Sequence, residues 1–304
     1  MRLSKTKKAV LALILANLIW GAAPPIFKWS LESTPLFTLG FIRFLFPVLL
    51  IPIFFRGSLA IKPKDFFKVF LMGLMLIPVN ILFLFLGVKE TLSLNAPIIG
   101  SAGPIFLMFG SLLFLKEKIK KRVLIGNMIG FIGILFIVLQ PTVSKVNSDA
   151  VLGNFYIILS TLGVVLGTIF AKDIIKKYHP LTLTFWAFVI GTVSILPFFV
   201  HEVQTVGFLP VLNVQVIIGI IFGCIFSSLL AYFLFLWSLK YFPASEVGVF
   251  TYIDPVIGTI ISMQLLQETI TSIFLFSSFL VFFGIYIAEG RLHYHPFHRL
   301  FGKK

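Results

Sequence analysis

Pro35-Leu36-Phe37-Thr38-Leu39-Gly40-Phe41-Ile42-Arg43-Phe44-Leu45-Phe46-Pro47-Val48-Leu49-Leu50-Ile51-Pro52-Ile53-Phe54-Phe55 decides the fold class. The stretch is apolar from end to end and holds one charge, Arg43. A bilayer core is about 30 Å thick, and about 20 apolar residues in a helix cross it. A soluble strand or helix alternates apolar with polar residues, and this run does not. It is read as a membrane-spanning helix with an arginine near its middle.

Nine further runs of this kind occur along the 304 residues. They lie at Ala9–Phe27, Phe67–Gly87, Leu92–Leu115, Val123–Gln140, Val151–Ala171, Leu181–Val200, Val214–Leu239, Ala244–Leu266 and Ile270–Glu289. The expected fold is an all-α membrane protein with ten transmembrane helices. Helices satisfy their own backbone groups in lipid, whereas an open sheet cannot. A transmembrane barrel would need alternating strands. Composition agrees: 59% of residues are hydrophobic and 12% charged, about half the charge of a soluble domain. The connections are short and carry Pro, Gly and charge, so no stretch would hold a soluble domain. The first run ends in Gly21-Ala22-Ala23 and resembles a secretory signal, but it is too long, and Pro24 and Pro25 follow it directly.

The formal charge is +14, from 25 Lys and Arg against 11 Asp and Glu. In a soluble chain this would suggest nucleic acid. Assigned to alternate loops, 21 of the basic residues fall on one side and three (Lys28, Lys89, Lys145) on the other. Cytoplasmic loops are enriched in Lys and Arg. Both termini are therefore expected in the cytoplasm, membrane lipid with its anionic headgroups is the expected partner of the basic residues, and no nucleic-acid partner is expected. The expected location is the cytoplasmic (plasma) membrane, with multiple passes.

The two halves repeat. At an offset of 151, Lys89 matches Lys240, Pro104 matches Pro255, and Leu115-Lys116-Glu117-Lys118-Ile119 matches Leu266-Gln267-Glu268-Thr269-Ile270. At 145, Pro35-Leu36 matches Pro180-Leu181, and Ile51-Pro52-Ile53-Phe54-Phe55 matches Leu196-Pro197-Phe198-Phe199-Val200. The reading is a first five-helix repeat at 1–141, an external linker at 142–150, a second five-helix repeat at 151–290 and a cytoplasmic tail at 291–304. Five is odd, so the second repeat is inverted. Two inverted repeats can rock between an inward-open and an outward-open arrangement, the basis of alternating access.

These residues resemble the drug/metabolite transporter superfamily, in its EamA-type ten-helix members. The resemblance rests on Trp20-Gly21 and Phe27-Lys28 in helix 1, and on Arg43-Phe44 in helix 2. It rests also on Pro104 with Leu115-Lys116-Glu117 around helix 4, and on Pro255 with Glu268 around helix 9. It spans nearly the whole chain and implies a secondary carrier, often an exporter of amino acids, related metabolites or drugs. A nucleotide-sugar or sugar-phosphate carrier of the same architecture is the alternative. Its dianionic substrate would favour several intramembrane cations, and the helix interiors show mainly Arg43.

Other classes fit less well. No Gly-x-x-x-x-Gly-Lys-Ser/Thr run occurs, so nothing points to ATP. His-Glu-x-x-His and Gly-x-Ser-x-Gly are missing, so no intramembrane enzyme is indicated. The single cysteine, Cys224, makes no disulfide or metal cage, and no cofactor is expected. His293, His295 and His298 in the tail read as a solvated basic segment.

Polar groups in lipid are costly and usually functional. By helical rise, Arg43 and Asp254 lie about 12 and 15 Å deep. Three readings of Arg43 stand open: it binds a solute carboxylate through its planar fork, it forms a structural bridge by pairing with Asp254 or capping a helix end, or it snorkels to the surface. Asp254, before Pro255, would carry a coupling proton or satisfy the backbone at a helix break. Tyr252, Asn17, Trp20, Asn80, Asn95 and Tyr232 complete the candidate cavity, with Ser101 and Trp237 behind them. Gly126 and Gly130 in helix 5 would let two helices meet closely, within the chain or in a homodimer.

Overall fold

A computed structural model describes residues 5–103, 106, 121–143, 149–207, 213–241, 250–251 and 253–289. Among them the chain is helical, with no strand. The described helices are α1 (Lys5–Leu31), α2 (Leu36–Phe54), α3 (Pro63–Glu90), α4 (Asn95–Gly100) and α5 (Lys121–Val143). They continue with α6 (Asp149–Ile174), α7 (Pro180–Val206), α8 (Val214–Ser238), α9 (Ile253–Leu265) and α10 (Ser272–Glu289). Six of them, α1, α2, α3, α6, α7 and α8, are long and apolar enough to cross a membrane.

The outward faces are greasy. Leu49, Ile53, Phe54, Phe67, Val193 and Phe279 are exposed. In water such a surface would be an aggregation site; against lipid tails it costs nothing. Lipid also removes the hydrophobic drive for helices to associate, so close packing and buried hydrogen bonds must hold them.

Small residues supply the packing. A Cβ at Gly284 of α10 would strike the Gly126 carbonyl and Gly130 amide of α5. The Gly126/Gly130 pair therefore serves a contact within the chain. In the same way Gly21 of α1 lies against the backbone of Asp254, and Gly258 of α9 lies against Pro97 and the Gly21 carbonyl. The α1 and α9 helices run side by side.

Pro24 and Pro25 do not end α1, which continues to Leu31. Proline withdraws an N–H from the ladder, and buried neighbours hold the helix together across the gap. α3 and α8 each carry a π-helical stretch, Met75–Val79 and Phe222–Leu230. These are the third helices of the two expected repeats. π-turns shift the hydrogen-bond register and are frequent at functional sites.

Among the described residues two large apolar cores form, with a small third cluster of Ala16, Ile19 and Ala231. The larger surrounds Phe27, Phe44, Leu76, Ile77, Phe85 and Phe188. The smaller joins Val88, Leu94 and Ile98 to Ile134, Ile157 and Val281.

Candidate functional site

Arg43 lies on the buried face of α2 and is 2% exposed. Its Nε donates to Ser228 Oγ at 2.8 Å and its Nη2 to Ser227 Oγ at 2.8 Å. Its guanidinium sits 4.4 Å from the Phe27 ring centroid and 5.8 Å from that of Phe85. Nη1 makes no hydrogen bond, and among the described residues no carboxylate pairs with it. The burial excludes snorkelling, and the pairing with Asp254 does not occur here. A guanidinium has five N–H donors. The two serines occupy its Nε/Nη2 edge, and Nη1 at the end-on edge is buried and unbonded.

Consecutive residues on an α-helix diverge by about 100°. Ser227 and Ser228 both reach one guanidinium from within the π-helical stretch of α8. The Ser227 carbonyl also accepts from Trp20 Nε1 at 3.2 Å. Trp20 is edge-on to Tyr232, with centroids 5.1 Å apart. Tyr232 donates its hydroxyl to the Leu76 carbonyl at 2.9 Å, within the π-stretch of α3, and approaches Asn80 Oδ1 at 3.3 Å. Asn80 Nδ2 in turn donates to Ser160 Oγ at 2.9 Å. One polar chain thus runs from α2 through α8 and α1 to α3 and α6.

Four of the sequence-derived candidates, Arg43, Trp20, Tyr232 and Asn80, meet in that chain. Asn17 on α1 and Asp254 on α9 lie apart from it. Asn17 Nδ2 donates to the Leu13 carbonyl at 2.7 Å, and its Oδ1 makes no bond. Asp254 Oδ1 is likewise buried and unpaired. Tyr252 lies outside the described residues, as do Pro104 and Glu117.

Asn95 belongs to a different cluster. It donates to Asn154 Oδ1 at 3.0 Å, as Thr91 Oγ1 does at 2.9 Å. Beside it, Lys28 Nζ donates to Glu268 Oε1 at 2.9 Å and to the Thr91 carbonyl at 2.6 Å. Glu268 also accepts from the backbone of Ser93 and Leu94 and from Ser93 Oγ. This knot ties α1 and the α3–α4 turn to the end of α9. Ser101 only back-bonds to Ile98, and Trp237 stacks edge-on to Tyr241.

Ser227 and Ser228 were missed as candidates from sequence. Their signal was a serine pair inside the apolar run Val214–Leu239.

A family model, the EamA-like transporter family, matches the chain over residues 7–139 and 151–289. The chain belongs to the EamA-like transporter family. An uncharacterized transporter of Archaeoglobus fulgidus is 30% identical over 92% of the chain and 98% of its own length. The uncharacterized transporter YetK of Bacillus subtilis is 26% identical, over 93% of the chain and 87% of its own length. A solved crystal structure matches the fold with a TM-score of 0.64 at 15% identity, covering 92% of the chain and 96% of that structure. The protein is a multi-pass membrane transporter and not an enzyme. In this transporter the Arg43 chain of contacts is the candidate solute site.

Proposed function

We propose that the transporter moves a small organic solute bearing a carboxylate, such as an amino acid or related metabolite, across the cytoplasmic membrane, in the direction of export. The observation that carries this reading is Arg43: a guanidinium buried among phenylalanines, held by two neutral hydroxyls, with Nη1 unbonded. A buried charge without a counter-charge is costly. An incoming carboxylate at the end-on edge offsets that cost and accepts the remaining donors. Trp20, Tyr232, Phe27 and Phe85 wall the same region and would contact the apolar part of the solute.

Transport follows by rocking two inverted five-helix halves, residues 1–141 and 151–290, about the site. The division of the family match near residues 140–150 supports this. So do the π-stretches in the third helix of each half. The Lys28–Glu268 knot joins the halves at the outer end, and the Lys177–Asp65 pair at 2.7 Å joins them at the cytoplasmic end. Each would break in one of the two states.

Counterflow of labelled amino acids in liposomes tests the reading. Arg43→Ala should abolish uptake while the protein still reaches the membrane and folds. Arg43→Lys keeps the charge but loses the planar fork, and uptake should fall at least about tenfold. Full transport by the alanine variant would refute the role of Arg43.

A further inference from the structure

α2 and α7 are fastened to each other from end to end. They run antiparallel: Thr38 meets Glu202 at one end, and Phe55 stacks on His179 at the other, with centroids 4.7 Å apart. The first amides of a helix lack partners within it, and Pro35 gives α2 no side-chain cap. Glu202 of α7 supplies the cap. It accepts from the Phe37 amide at 3.1 Å, from the Thr38 amide at 2.6 Å and from Thr38 Oγ1 at 2.9 Å. Further along, Phe37 stacks on Phe198 and Phe41 on Phe199, and Ile195 fills the space that Gly40 leaves. Past the other end of α2, the Ser58 carbonyl accepts from Thr182 Oγ1 at 2.9 Å. The Leu59 carbonyl accepts from Trp186 Nε1 at 2.7 Å.

This seam repeats itself. At the offset of 145, Phe37 matches Thr182 and Glu202 matches Gly57. The Phe37–Glu202 bond at one end thus has its counterpart, one residue away, in the Thr182–Ser58 bond at the other. Phe44 and Phe188, with centroids 6.1 Å apart, are 144 residues apart in sequence, so their contact maps almost onto itself. It marks the pseudo-two-fold axis of the repeat, and Arg43 is the next residue on α2. The Lys28–Glu268 knot has no such counterpart. At 151 Glu268 matches Glu117, and at 145 Lys28 falls on Asp173, two acids that cannot form an ion pair.

Inverted repeats reach their second state when the two halves exchange conformations. A contact whose counterpart is already made survives that exchange; one without a counterpart is lost. We propose that α2 and α7 form a fixed post at the centre of the transporter, clasped by Glu202 at one end and by the α2–α3 loop at the other. The remaining helices of both halves move about it. Arg43, carried on the post beside the axis, would then meet each side in turn without moving itself. This rests on the inverted-repeat reading and narrows it: α2 and α7 belong to different halves, and halves rocking as rigid bodies would pull them apart.

The test needs no solute, so its outcome is independent of the carboxylate reading of Arg43. The full-length protein, with Cys224 replaced, is spin-labelled at pairs of exposed positions in nanodiscs, and distances are read by double electron–electron resonance. Glu32 with Gln204, and Arg56 with Lys176, flank the two ends of the post; Lys89 with Thr269 spans the knot. Glu268→Ala and, separately, Lys28→Ala release the knot. The Lys89–Thr269 distance should then lengthen by about 5 Å or more, while both post distances stay within about 2 Å of the parent protein. Post distances that lengthen together with the knot overturn the proposal and leave the rocking of rigid halves standing. No movement at any pair in either variant overturns both.

Discussion

At the scale of single residues, the two serines show how much a charge depends on its neighbours. Ser227 and Ser228 hold Arg43 by two of its five donors. Hydrogen bonds to charged groups contribute about 1.5–3 kcal/mol each. Replacing both by alanine should leave the guanidinium in place but free to rotate. Solute affinity in counterflow should then weaken by about tenfold or more, with the maximal rate less affected. Unchanged affinity would mean that the serines merely fill space. Glu268 allows a second comparison. It is 8% exposed and accepts from Lys28, from two backbone amides and from Ser93 Oγ. Lys28 gives up only two bonds when removed. Glu268→Ala should therefore lower the melting temperature more than Lys28→Ala, because it strands more buried donors.

At the scale of elements, the contact between α5 and α10 is set by the absence of side chains. Gly284 leaves no space for a methyl group before the Gly126 and Gly130 backbone. Gly284→Ala should destabilise by about 1–3 kcal/mol through overpacking, read as a lower melting temperature in detergent; an unchanged one would show that the helices separate at little cost. The π-stretches of α3 and α8 are the other element-level feature. Periodicity reads helix across both runs and gives no hint of the wider turns. Only the neighbours reveal them: Trp20 bonds to the Ser227 carbonyl and Tyr232 to that of Leu76. The local sequence offers Pro78 in the first stretch and nothing comparable in the second.

At the scale of the whole molecule, charge predicts the sides. Ser58 and Glu32 are both exposed, and the distribution of Lys and Arg predicts that they face opposite sides of the membrane. With Cys224 replaced, Ser58→Cys and Glu32→Cys should react with an impermeant maleimide from opposite sides of oriented vesicles. Labelling of both from one side would mean that α2 does not cross the membrane, and would break the topology on which the rocking mechanism rests.

The sequence by itself determined the class of molecule. Apolar runs the length of a bilayer admit only helices, because lipid offers no partner to a backbone amide. The order and spacing of Trp20-Gly21, Phe27-Lys28, Arg43-Phe44, Pro104, Leu115-Lys116-Glu117, Pro255 and Glu268 point to the family. Trp20, Tyr232 and Asn80 were legible for the same reason: polar tips are expensive in lipid and therefore conspicuous. What only the tertiary structure decided is which of them meet. Arg43 and Asp254, both near mid-membrane by helical rise, go to different neighbours, one to α8 and the other to α1. Asn95 joins Asn154 in a packing cluster and not the Arg43 chain. Depth along a helix is a one-dimensional quantity, fixed by counting residues. The partner a side chain faces depends on helix rotation and on glycine-set approach between segments far apart in sequence, and that is settled only when the helices pack.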